Sequence, residues 1–143
     1  MKALVVYEGN TEKVAQAICA GMKQAGQSDV ECMEVGRASP AKLAKAEYWV
    51  LGGPSNGLLP GRKITDLLNK SVSSGSKSVG VLFDTRMAGE TAGMSEKLAS
   101  IMKIHNMKVA SWTYFSLGPN KALLDGEETL ANIFGRNLVE MMK

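Results

Sequence analysis

The chain has 143 residues, of which 45% are hydrophobic and 22% are charged, and its formal net charge is +3. This length suits one domain that buries a core of its own. The 17 Lys and Arg residues are scattered instead of forming a basic patch, which argues against nucleic acid as a main partner. An apolar run at 3–7 ends at Glu8, too early for a signal peptide, and no run reaches the ~20 apolar residues of a membrane span. We therefore expect a cytoplasmic location and no membrane partner.

Short apolar runs alternate along the chain with longer amphipathic stretches, a pattern typical of βαβ units around a parallel sheet. The runs are rich in β-branched and aromatic residues, as expected of strands that helices cover on both faces. Four of them lie at 3–7, 48–51, 79–83 and 109–115. A fifth run, at 30–35, contains Glu31 and Glu34, which favours a more solvent-exposed strand at the edge of the sheet.

Apolar residues recur at helical spacing between these runs. Four clear helices are marked by Val14, Ile18, Gly21 and Met22; by Ile64, Leu67, Leu68 and Val72; by Met94, Leu98, Ile101 and Met102; and by Leu130, Ile133, Phe134, Leu138 and Met141. A short helix can also begin at Pro40, since proline is tolerated in a first turn. Right-handed crossovers then predict a doubly wound α/β fold with helices on both faces of a five-stranded sheet. No linker divides the chain, so 1–143 is predicted to be a single domain.

Ligands of such folds bind beyond the carboxyl ends of the strands, so the segments after the first, third and fourth strands are the candidate site. The first strand is followed by Glu8, Gly9, Asn10 and Thr11, which lead into a helix. A glycine turn before a helix start presents unpaired N–H groups and the positive end of the helix dipole, which suit an anion. The same residues also fit a plain turn, in which Gly9 bends the chain and Asn10 or Thr11 caps the helix.

Landmarks along nearly the whole chain resemble those of the flavodoxins. Residues 3–15 resemble the family's opening strand, phosphate turn and first helix, and 52–55 (Gly-Gly-Pro-Ser) resemble its Gly-x-Pro-Thr/Ser loop. Residues 79–98 resemble the third loop and the following helix, and 125–143 resemble the last helix. The landmarks fall in order with no strand-splitting insertion, as in the short-chain members. The resemblance therefore implies a three-layer α/β/α sandwich with a five-stranded parallel sheet of order 2-1-3-4-5.

Flavodoxins hold FMN non-covalently and shuttle electrons at low potential. The resemblance thus implies an FMN-binding electron carrier, or a small flavoprotein oxidoreductase, that acts with a redox partner protein. Gly9, Asn10 and Thr11 match the positions that hold the phosphate. The segments that would flank the flavin ring supply the other cofactor-binding candidates, namely Pro54, Ser55, Asn56, Gly57, Asp84, Thr85, Arg86 and Gly89.

Three features depart from the family pattern. Only Glu8 stands between Tyr7 and Gly9, so the phosphate turn is short and carries a negative charge. The ring loops at 54–61 and 84–93 contain no Trp or Tyr, and each missing stacking platform forfeits roughly 1–3 kcal/mol. The chain is mildly basic, whereas flavodoxins are commonly acidic. These features favour an alternative, a flavodoxin-fold domain that has lost FMN binding and serves as a binding or partner domain.

Two side chains distinguish these interpretations by their orientation. If the Glu8 carboxylate faces the phosphate it repels it, and Glu8→Ser or Glu8→Thr should then tighten FMN binding. Arg86 is either an exposed loop charge or a cation that lies over a ring or pairs with a phosphate. Asp84 and Glu90 are predicted to lie in a solvated loop and not to act as an acid/base pair.

The remaining reactive side chains favour structural roles. His105 is the only histidine, and a lone histidine cannot assemble a triad or a metal site. Cys19 and Cys32 lie thirteen residues apart without a CxxC motif, so they are predicted to be buried or half-buried free thiols. No Walker A or GxGxxG motif stands at a strand–helix junction. The sequence therefore predicts no catalytic residues and no metal site.

Overall fold

The computed structural model describes residues 2–55, 61–74 and 77–142. Its strands are β1 (Ala3–Tyr7), β2 (Val30–Glu34), β3 (Tyr48–Pro54), β4 (Val79–Met87) and β5 (Lys108–Leu117). Its helices are α1 (Glu12–Gln24), α2 (Pro40–Ala44), α3 (Arg62–Ser71), α4 (Met94–Ile104) and α5 (Glu127–Met142). Short 3-10 turns span Gly9–Thr11, Val35–Arg37 and Val72–Ser74. Within the described ranges, no helix is long and apolar enough to cross a membrane.

All five strands are parallel and lie in the order β2-β1-β3-β4-β5, which confirms the predicted topology. The sheet separates two buried clusters, one beneath α2, α3 and α4 and the other beneath α1 and α5. Side chains of β1 point alternately to the two faces of the sheet, so this one strand contributes to both clusters. Leu4 and Val6 face the first cluster, while Ala3 and Val5 face the second. The predicted three-layer sandwich is confirmed.

Helices α1 and α5 approach each other closely through two glycines. A Cβ atom on Gly21 would collide with the backbone oxygen of Asn132, and one on Gly135 would collide with that of Ile18. The helices can therefore touch backbone to backbone only with glycine at these positions. This contact holds α1 against α5, and the start of α1 lies at the carboxyl edge of the strands.

Strand β4 runs further than the apolar pattern predicts. The parallel ladder continues past Phe83, with Asp84 opposite Gly53 on β3 and Thr85 opposite Pro54, and it reaches Met87. The prediction of a solvated loop at Asp84 is therefore wrong. The strand continues because Asp84 and Arg86 are buried and paired with each other and with residues of α4, as described below.

Helix α2 confirms the prediction from Pro40. The helix begins at this residue, and the Ser39 side chain accepts a hydrogen bond from the Lys42 N–H at 3.2 Å. His105 is exposed and follows the last residue of α4, where its backbone N–H donates to the carbonyl of Ile101. It therefore closes the helix, in keeping with the structural role predicted for it.

Candidate functional site

The turn between β1 and α1 lies at the carboxyl edge of the sheet. Gly9 has a φ of +65°, a conformation that glycine adopts without strain, and both Gly9 and Asn10 are exposed. Thr11 is buried, and its hydroxyl donates a 2.8 Å hydrogen bond to the Glu8 carbonyl. The single hydroxyl proton of Thr11 is thus used within the turn, so the Thr11 side chain has no donor left for an anion.

The Glu8 carboxylate is held at the start of α3. Its Oε1 accepts a 2.8 Å hydrogen bond from the N–H of Ile64, the third residue of that helix. A carboxylate in this position satisfies one of the orphan N–H groups of the first turn and interacts favourably with the helix dipole. The structure thus gives Glu8 a capping role in α3, and Glu8→Ser is no longer expected to tighten phosphate binding.

We expect Glu8→Ala to lower the free energy of unfolding by about 1 kcal/mol, because it removes the acceptor that caps α3. Glu8→Gln should cost less, since the amide oxygen can still accept from Ile64. Urea denaturation of the three proteins measures the effect, with the exposed Glu47→Ala as the matched control. Equal stabilities for Glu8→Ala and Glu47→Ala would show that the cap contributes nothing.

Helix α4 is capped by three side chains. The N–H of Met94 donates to the Ser55 hydroxyl oxygen at 2.9 Å, that of Ser95 donates to Asp84 at 2.8 Å, and that of Gly93 donates to Glu96 at 2.6 Å. By contrast, no side chain in the described part of the chain caps the turn that leads into α1. The start of α1 therefore keeps N–H groups available to an anion, whereas the starts of α3 and α4 are already occupied by side-chain oxygens.

A buried ionic network occupies the carboxyl end of β4. Asp84 is fully buried and Arg86 is only 4% exposed. The Arg86 Nε and Nη2 atoms donate to the two carboxylate oxygens of Asp84 at 2.9 and 3.1 Å, and Nη2 also donates to Ser95 and Glu96. The guanidinium carbon lies 4.3 Å from the ring centroid of Tyr114, in cation–π geometry.

Because Arg86 is buried in this network, it has neither of the two roles predicted for it. It is not an exposed loop charge, and its Nε and Nη2 donors are engaged by Asp84, Ser95 and Glu96, so these donors are not available to a phosphate. The hydrogen bond to Asp84 raises the pKa of Arg86 above its ordinary value, although burial opposes that shift. Burial also raises the pKa of Glu96, but hydrogen bonds from Arg86 and from the Gly93 N–H outweigh it and leave the pKa of Glu96 lowered.

Thr85 differs from both of its neighbours on β4. It is fully buried, and its Oγ1 has no hydrogen-bond partner among the described residues. Strand alternation places its side chain on the same face as Phe83, towards α1 and α5. Its ladder partner Pro54 also lies beside Gly9, because a Cβ atom built on Gly9 would be 3.8 Å from Pro54 Cγ. The unpartnered hydroxyl and the uncapped turn thus lie on either side of Pro54.

A cavity of ≈ 310 Å³ opens beside the turn. Its walls come from the start of α1 and from the segment that links β5 to α5, and they include two exposed lysines, Lys13 and Lys121, with Glu12 as the one carboxylate. The other lining residues are Gly9, Asn10, Leu117, Ala122 and Leu123. Among the described residues, no group of three or more His, Cys, Asp or Glu side chains could hold a metal ion.

The structure brings together part of the predicted set. Gly9, Asn10, Thr11, Pro54 and Thr85 lie around one corner of the edge, while Ser55, Asp84 and Arg86 belong to the α4 cap and its ionic network. Gly89 is exposed in a turn with a φ of +89°. Asn56 and Gly57 lie outside the described residues.

Sequence reasoning missed four residues of this edge. Glu96 had a usable signal, because Gly93 followed three positions later by Glu before an apolar run has the spacing of a capping box. Lys121, Ser95 and Tyr114 had none, since their proximity to the edge depends on how the elements pack.

Solved flavodoxin structures superpose on nearly the whole chain. A flavodoxin from the domain Archaea shares 23% sequence identity at a TM-score of 0.75, covering 99% of this chain and 98% of that one. The two-electron reduced flavodoxin of Megasphaera elsdenii shares 19% at 0.77, covering 98% and 99%. Oxidised flavodoxin 1 of Bacillus cereus shares 13% at 0.76, covering all of both chains.

No protein-family model matches the sequence, and no curated protein matches it. At these identities the structural likeness shows the fold alone. The edge described above is the carboxyl edge of a doubly wound α/β sheet. The protein has the flavodoxin fold.

Proposed function

We propose that this protein binds FMN at the corner formed by the β1–α1 turn and β4, and that it transfers electrons. The observation that carries the proposal is the unequal hydrogen bonding of the carboxyl edge. Side-chain oxygens occupy the starts of α3 and α4. Among the described residues, by contrast, no side chain caps the start of α1, and the buried hydroxyl of Thr85, on the other side of Pro54, has no partner. Polar groups left unsatisfied in this way are what a bound anion would satisfy.

The described residues fit the phosphate end of FMN. The N–H groups of Gly9 and Asn10 would donate to the phosphate, and the Thr85 hydroxyl would donate to a phosphate or ribityl oxygen. Lys13 and Lys121 would supply positive charge from the cavity wall. Glu8 does not oppose this binding as strongly as the sequence implies, because its carboxylate is held by α3.

The chain's own residues would orient the cofactor, and bound FMN would supply the one- and two-electron chemistry. Pro54 provides an apolar surface beside Gly9, and the rigid ladder between β3 and β4 holds Pro54 against Thr85. Redox partners would meet a mildly basic protein, since the net charge is +3. We therefore propose a partner with an acidic docking face.

Titration with FMN tests the proposal. We expect bound FMN to lose its fluorescence and to raise the melting temperature of the protein. Riboflavin, which lacks the phosphate, should bind at least about tenfold more weakly, since charged hydrogen bonds to the phosphate would be lost. A purified protein that is colourless, and that shows no change in tryptophan emission or melting temperature with excess FMN, would contradict the proposal.

One specific observation favours the alternative of a flavin-free partner domain. Two side chains that could have served the cofactor, Thr11 and Arg86, are engaged within the protein. In that case the α1 start and Thr85 would serve another anion. The two functions separate in the same titration, because only the partner domain would leave FMN fluorescence unchanged while inorganic phosphate still raised the melting temperature.

A further inference from the structure

The two edges of the sheet differ in length and in charge. Strand β2 has five residues, and its Glu31 carboxylate pairs with Lys2 at 2.8 Å. Strand β5 has ten residues, and its segment 109–117 contains no charged residue, no proline and no glycine. Proteins usually protect an exposed edge with a short strand, a charge or a proline, because its unpaired N–H and C=O groups otherwise attract another strand. The edge strand β2 has such protection, and segment 109–117 does not.

The chain itself covers the carboxyl end of the β5 edge. The Ser116 N–H donates to Glu127 at 2.6 Å, and the Ser116 carbonyl accepts from the N–H of Leu124 at 3.1 Å, so both backbone groups of Ser116 point away from β4. The direction of these groups alternates along a strand, so those of Trp112 and Tyr114 also point away from β4. In the described part of the chain, no group outside the sheet bonds to them. The edge is therefore open at Trp112 and Tyr114.

Exposed apolar side chains flank this open edge on both faces of the sheet. On the α4 face, Trp112 is 45% exposed and Tyr114 is 51% exposed. On the other face, Leu130 of α5 is 53% exposed and lines a groove of ≈ 450 Å³ between α5 and residues 113–116. A single added strand would satisfy the open backbone groups, but it would bring no helix to cover these side chains. A second copy of the chain would bring its own α4 and α5 to the two faces.

We propose that two copies of this chain pair antiparallel through β5, about a twofold axis at Thr113, and join their sheets into one. In this register Trp112 of each copy lies opposite Tyr114 of the other, and each such pair exchanges two N–H···O=C hydrogen bonds. The two aromatic side chains of a pair lie on the same face and contact each other, which stabilises the pairing further. The new ladder stops before Ser116, whose backbone groups are already bonded within each copy.

The charges beside the paired strands are complementary in this arrangement. Helix α4 runs antiparallel to β5, so Glu96 in its first turn lies towards the carboxyl end of β5, and Lys103 in its last turn lies towards the start of β5. The twofold axis reverses the strand of the second copy, which brings Lys103 of one copy towards Glu96 of the other. The Glu96 side chain is 41% exposed, so its carboxylate has surface left for a second cation besides Arg86. The surface around the open edge thus complements itself in charge as well as in shape.

Sedimentation velocity of the purified full chain over a concentration series tests the proposal. The protein is expected to change from monomer to dimer as its concentration rises, with no larger species, because a twofold interface is closed. Amide hydrogen exchange, measured by NMR after labelling at low or high concentration, locates the interface. Exchange at Trp112 and Tyr114 should be slower in the concentrated protein. Thr113, whose N–H points towards β4, should exchange slowly at both concentrations.

Three variants separate the interface from the fold. Trp112→Lys should weaken dimerisation by about a hundredfold or more, because it places an unpaired charge at the centre of the interface. Lys103→Glu should weaken it by about tenfold, because it sets two carboxylates against each other. Gln24→Lys adds the same charge as Trp112→Lys at an exposed position on α1 and should leave dimerisation unaltered. Circular dichroism checks that each variant is folded, as expected for changes at exposed positions.

The inference is overturned if the wild-type protein stays monomeric at every concentration, which is also the result expected if the edge accepts a strand from a different protein. Open-ended aggregates in place of a dimer would overturn it as well. So would equal dimerisation of Lys103→Glu and Gln24→Lys, or exchange at Trp112 and Tyr114 that does not depend on concentration. None of these measurements needs flavin, so their outcome is independent of FMN binding.

Discussion

Replacing Arg86 with Met is expected to lower the free energy of unfolding by about 3–5 kcal/mol. Asp84 is fully buried, and Arg86 donates to both of its carboxylate oxygens. Without the guanidinium, the N–H of Ser95 is the one hydrogen-bond partner left to the Asp84 charge in the described part of the chain. Leaving one member of a buried ion pair without its counterion costs far more than the net contribution of the pair, because desolvation of the remaining charge is no longer offset.

Urea denaturation at neutral pH measures this cost. The matched control is Arg62→Met, which makes the same change at an exposed position on α3 and should alter stability by less than about 0.5 kcal/mol. The double variant Asp84→Asn/Arg86→Met should recover part of the loss, because it also removes the stranded charge. A loss below about 1 kcal/mol for Arg86→Met would show that the network is more hydrated than its burial indicates.

The network also shows where sequence patterns stop being informative about strand boundaries. Apolar runs locate the buried part of each strand, because a strand covered on both faces is apolar at every position. At Asp84 the run ends, yet the strand continues to Met87. Asp84 and Arg86 are each other's partner, and the other groups that make their burial tolerable come from α4 and β5, 9 to 28 residues beyond Arg86. No local pattern identifies these groups.

The candidate site, like the strand boundaries, could be predicted only in part from the sequence. The topology puts the β1–α1 turn at the carboxyl edge, so the positions of Gly9, Asn10 and Thr11 follow from the order of the elements. The direction of Glu8 does not, because its acceptor role is set by Ile64, 56 residues away. The sequence could name Thr85 as a candidate through its resemblance to a family. Only the packing shows that its hydroxyl lacks a partner within the described ranges, while that of Thr11 has one.

That contrast gives Thr85 an unusual expected phenotype. Thr85→Val should raise the free energy of unfolding of the FMN-free protein by about 1–2 kcal/mol, because valine keeps the shape of threonine and removes a buried polar group that has no partner among the residues the structure describes. The same variant should weaken FMN binding by about tenfold or more, because it deletes a donor to the cofactor. A side chain that only supports the fold would not produce these opposite effects.

Two variants isolate the hydroxyl group. Thr85→Ser keeps the donor and should retain most of the FMN affinity, although it loses a buried methyl group and hence some stability. Thr113→Val makes the same chemical change at a half-buried position on β5 and should leave FMN affinity unaltered. Urea denaturation without flavin and fluorescence titration with FMN provide the two readouts.

The stability of Thr85→Val tests whether the Thr85 hydroxyl has a partner in the free protein, and its FMN affinity tests whether that hydroxyl contacts the cofactor. A loss of stability without flavin would mean that the hydroxyl already has a partner, such as a bound water molecule, and that the edge has less need of a ligand than its geometry indicates. A gain in stability together with unchanged FMN affinity would mean that FMN binds elsewhere or not at all. Only a gain in stability combined with weaker FMN binding fits a hydroxyl whose burial destabilises the free protein and whose hydrogen bond stabilises the complex with FMN.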